Sequence, residues 1–113
     1  MDFLSILHIA AALATAATGL LALVNPSAAG GFIGLKADGP RGVSEIRTSF
    51  GGLFLGLGLA SLALGGAAYL VLGMGYLAMA AARAFSIIFD RSYAQSNLAS
   101  LAIEIVLGLI LVL

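Results

Sequence analysis

Between Asp2 and Lys36 this chain carries no charged side chain, and between Arg47 and Arg83 it again carries none. Apolar runs of this length leave few options. A helix needs about 20 mainly apolar residues to cross a bilayer, and inside lipid every backbone polar group must be satisfied within the protein. The pattern predicts four spans. The first covers residues 3–24 and is closed by Asn25-Pro26, a strong helix stop. A loop at 25–47 follows, rich in Gly and Pro, holding Lys36, Asp38, Arg41, Glu45 and Arg47. Its apolar piece, residues 28–35, suits a short interfacial helix or a re-entrant segment. The second span covers about 48–64, Gly65-Gly66 supplies a tight turn, and the third covers about 67–89. A polar loop at 90–97 leads to the fourth span, 98–113.

Composition agrees with this reading. Of 113 residues 62% are hydrophobic and only 9% charged, whereas soluble domains carry about 25% charged residues. The formal net charge is zero, so nothing points to nucleic acid. Cysteine is absent, which removes disulfides, thiol nucleophiles and dithiol chemistry from consideration. The N-terminal run lacks a basic n-region and exceeds the roughly 7–15 residues of a signal-peptide core. It is therefore expected to be a retained transmembrane helix.

Short connections between neighbouring spans predict an all-α integral membrane protein built as an up-down four-helix transmembrane bundle, a single domain over 1–113. An even number of crossings puts both termini on one side. Lys36, Arg41, Arg47 and Arg91 all fall on the other, with Arg83 near it. The positive-inside rule makes that side cytoplasmic, with both termini outside. This bias opposes the dual topology of small multidrug exporters, whose first-helix carboxylate is also missing here.

Each span carries a distinctive face. On the second, Gly51, Gly58 and Gly65 recur every seven residues, and Gly52 and Gly56 form a G-x-x-x-G on roughly the opposite side. Small residues let helix backbones approach in lipid, so these glycines predict helix packing, with one face available to a partner. On the third, Tyr69, Tyr76, Arg83 and Asp90 are spaced by sevens, and a heptad drifts only about 20° around a helix. On the fourth, Asn97, Ser100 and Glu104 share a face; on the first, His8 shares one with Ala12, Thr15 and Gly19.

An isolated guanidinium in hydrocarbon costs roughly 2.5–3.5 kcal/mol on insertion scales. Two arrangements relieve Arg83: snorkelling to the interface beside Asp90, or a buried ion pair with Glu104 shared with Arg47. At 1.5 Å per residue, Arg83 lies roughly 10 Å and Glu104 roughly 10–14 Å from the cytoplasmic end of their helices, so the two share a depth. An intramembrane network of Arg47, Arg83, Asp90, Glu104 and Glu45 is the expectation. Glu104 is either paired or held neutral, and a neutral carboxyl could relay protons. His8, Tyr69, Tyr76 and Ser100 are candidates to line a ligand pocket. No cofactor is predicted, although His8 could hold one pigment or haem axially. No metal cluster, nucleophile–base pair or phosphate loop can be assembled from these residues.

Asn25-Pro26, then FIGL, EIRTSFGGLFLG, ARAFSIIFD and Glu104 together resemble an uncharacterised bacterial family of small four-span membrane proteins, a domain of unknown function. The matching positions are Glu45, Arg47, Gly51, Gly52, Arg83, Asp90 and Glu104; Phe50 stands where members often have Tyr. Size and helix count are also similar to DoxX-type proteins. The resemblance implies that the charged set works as one site and supplies no activity. The expected role is a non-enzymatic accessory or assembly subunit, or a binder of a lipid-like hydrophobic ligand. Its partners would be the bilayer, a larger membrane complex or a second copy. A small proton-coupled transporter using Glu104 is the alternative, and a lipid-acting membrane enzyme the third.

Overall fold

A computed structural model describes residues 2–113, and no strand occurs among them. The helices are α1 (Phe3–Val24), α2 (Pro26–Ile33), α3 (Gly39–Leu64), α4 (Gly66–Phe89) and α5 (Gln95–Val112). All except α2 are long and apolar enough to cross a membrane. This is an all-helical membrane protein.

The helix ends follow from local chemistry. Asp2 opens α1: its Oδ1 accepts the Ser5 amide at 2.8 Å, satisfying one orphan donor of the first turn. That bond holds the Asp2 carboxyl below its ordinary value, so the cap persists at neutral pH and is lost only as pH falls below 3.8. Asn25 both stops α1 and starts α2, since its side chain accepts the Ala28 amide while Pro26 takes the first helical position. Helix α3 begins at Gly39, well before the Thr48 start expected for the second span. The Gly39-Pro40 pair that read as loop is a helix opening, because proline is pre-organised for a first turn. Much of the expected loop 25–47 is thus helical. Within α3 the hydrogen bonds widen to a π-helical stretch from Ile46 to Gly52 before α geometry resumes at Leu53. Gly65, with φ of 61° and ψ of −155°, is the single residue between α3 and α4, and only glycine adopts that conformation readily.

The chain forms two compact units. One holds the start of α1 through Ala11 together with Gly66–Leu113. In it α4 and α5 run antiparallel, with Gly73 against Leu111 and Val112, and Gly108 against Leu77. Ala11, Leu72, Tyr76 and Leu111 form its buried core. The other unit spans Ala12–Gly65. Here the second half of α1 lies on α3 at backbone contact. A Cβ added to Gly19 would sit 2.2 Å from the Leu55 amide nitrogen, and one at Gly58 would sit 2.6 Å from that of Ala16. Gly51 packs on Leu23 in the same seam. Gly52 and Gly56 do not: no side chain meets Gly52, and nothing lies near Gly56. Within this chain, Gly52 and Gly56 thus form the glycine face that packs on no other helix. A second buried cluster, Ala22, Ala29 and Ile46, joins α1, α2 and α3.

Candidate functional site: an Arg–Glu clamp between two helices

The seven-residue stripe on α4 and the polar face of α5 meet at Arg83. Its Nε donates to Glu104 Oε1 and its Nη2 to Glu104 Oε2, both at 2.7 Å. This side-on, bidentate pairing matches the planar fork of a guanidinium. The third nitrogen, Nη1, donates to Asn97 Oδ1 at 2.7 Å. Asn97 in turn donates from Nδ2 to the Ser92 carbonyl (3.1 Å) and hydroxyl (3.0 Å), which ties the clamp to the loop after α4. The Glu104 side chain is 6% exposed and that of Arg83 26%. No buried side-chain nitrogen or oxygen lacks a partner among the described residues. The short Glu104 carboxylate is therefore met inside the helix pair by the Arg83 guanidinium.

The family model described as Domain of unknown function (DUF4345) matches residues 3–113. The chain belongs to that family. No curated protein and no solved structure matches it.

The structure gives the remaining charged candidates of this DUF4345 protein partners outside the clamp. Asp90 accepts a 2.6 Å bond from Ser86 and is exposed, so it does not serve Arg83. Seven residues is two helical turns, roughly 10 Å along the axis, whereas Ser86 lies one turn away. Arg47 donates to the Leu23 carbonyl, one of the orphan acceptors in the last turn of α1. Glu45 pairs with Arg41 one turn earlier on α3, and both are exposed. The predicted five-residue network is corrected to a clamp of Arg83, Glu104 and Asn97, with Glu45, Arg47 and Asp90 engaged elsewhere. Asn97 was visible on the sequence as a residue one turn before Ser100 and two before Glu104.

Of the proposed pocket residues, His8, Tyr69 and Tyr76 make contacts within the first unit. His8 Nε2 donates to the Ile110 carbonyl at 2.8 Å, and its ring lies 5.0 Å from that of Tyr69 at an interplanar angle of 37°. Tyr69 packs against the cluster that contains buried Tyr76. Ser100 is half-buried on α5. Among the described residues, no group of three or more His, Cys, Asp or Glu side chains is placed to hold a metal ion.

Proposed function

We propose that this protein is a non-enzymatic component of a bacterial inner membrane, an accessory or assembly subunit of a larger complex or a binder of a lipid-like molecule. The observation that supports this over proton-coupled transport is the engagement of both Glu104 oxygens by one guanidinium. A relay carboxyl needs an oxygen at which to take and release its proton, and arginine does not deprotonate in proteins. Such a pair is better suited to fixing helix register, the best-attested use of buried ion pairs. In the same proposal the four crossings form an up-down bundle with both termini outside and the loops around Lys36 and Arg91 in the cytoplasm, which the basic residues favour.

Reconstitution in liposomes under an imposed pH gradient tests the reading. The expected result is no proton-driven flux from either the wild-type protein or Glu104→Gln. A flux that the wild type carries and Glu104→Gln abolishes would replace this proposal with transport.

A further inference from the structure

A cleft of about 240 Å³ opens in the second unit where the segment after α2 meets the first turns of α3. Its rim is charged and its floor apolar. The exposed lining residues Lys36, Asp38 and Glu45 make up the rim, and buried Ile46 with half-buried Phe50 the floor. Glu45 already has Arg41, but neither Lys36 nor Asp38 enters an ion pair among the described residues. The cleft therefore presents one available cation and one available carboxylate, two residues apart in sequence, above an apolar surface. Ile46, Ser49 and Phe50 reach it from the π-helical stretch of α3, and such widened turns occur frequently at functional sites. The volume falls below the roughly 300–1,000 Å³ typical of pockets that enclose a whole drug-sized ligand. It suits one end of a longer molecule.

We propose that this cleft binds the headgroup of a zwitterionic membrane lipid carrying a phosphate and a primary amine, with Lys36 facing the phosphate and Asp38 the ammonium. The paired charges select against a simple anion, which Asp38 repels. The apolar floor selects against a free polar solute, since Ile46 and Phe50 offer it nothing to hydrogen-bond. A lipid satisfies both, placing its charged end at the rim and its first carbons over the floor. A primary ammonium also donates hydrogen bonds to Asp38, as a quaternary ammonium cannot. This inference rests on the membrane reading and not on the accessory role, so flux measurements and lipid retention succeed or fail independently.

Native mass spectrometry of the full chain, released from mixed micelles holding equal amounts of phosphatidylethanolamine, phosphatidylcholine and phosphatidylglycerol, tests it. Phosphatidylethanolamine is expected to be retained roughly tenfold over each of the others, the factor one charge-assisted hydrogen bond supplies. Asp38→Asn should erase the preference over phosphatidylcholine, and Lys36→Glu should reduce retention of phosphatidylethanolamine. Both side chains are exposed, and Asp38 makes no side-chain hydrogen bond at the start of α3, so both variants should fold, which helicity and melting would verify. Equal retention of the three lipids overturns the proposal. So does a preference that survives both substitutions.

Discussion

Arg83 is held through all three of its guanidinium nitrogens, and the consequences of removing it differ from those of removing its partner. Arg83→Ala leaves the carboxylate of Glu104 buried and unmatched, which costs about 3–5 kcal/mol when a buried pair loses one member. Glu104→Ala leaves a long, partly exposed cation that can turn toward an interface, so its destabilisation should be smaller. The double variant should be less destabilised than the sum of the two, with a coupling of about 1–3 kcal/mol in a double-mutant cycle followed by unfolding in detergent. Additive effects would mean that the contact contributes no coupling. Arg83→Lys should recover part of the loss, since it keeps the charge without the fork. The sequence made this pair legible, because two spaced stripes on consecutive helices place Arg83 and Glu104 at one depth. The engagement of Arg47 was not legible. Sequence marks where α1 ends but not which distant cation reaches its last carbonyls.

Among the elements, α3 carries the sharpest contrast. Identical glycine-to-alanine changes should have opposite results on its two faces. At Gly58 the new methyl would strike the backbone of Ala16 and the Ala12 carbonyl, forcing the helices apart at about 1–3 kcal/mol. At Gly56 it would meet nothing and should leave stability unchanged or raise it by up to about 1 kcal/mol, the helix-propensity gain of alanine. Melting temperatures in one detergent compare the two directly. Seven-residue spacing revealed which glycines share a face. It did not say which face meets α1, since that depends on Gly19, whose partner lies more than thirty residues away. Gly73 and Gly108 were missed because neither belongs to a G-x-x-x-G spacing, and only the antiparallel pairing of α4 with α5 gives them a purpose. The π-helical stretch had no signal either: IRTSFGG contains nothing that distinguishes an i→i+5 turn from an ordinary one.

Over the whole molecule, the four long helices were readable from hydropathy because lipid imposes a length that the chain must meet. The division into two compact units was not, since it cuts α1 between Ala11 and Ala12, inside an unbroken helix. The proposed orientation makes a direct prediction. A C-terminal alkaline phosphatase fusion should be active and a C-terminal green fluorescent fusion dark, and the reverse pattern would place the termini in the cytoplasm. One consequence of the clamp is electrical. Helices α4 and α5 each contain a single charged residue, Arg83 and Glu104, of opposite sign and in direct contact. A membrane potential exerts about 2.3 kcal/mol per elementary charge per 100 mV on a charge that crosses it, yet on this joined pair the two forces cancel. The helix pair is voltage-silent as built, and neutralising either partner would turn it into a body that the membrane potential can push.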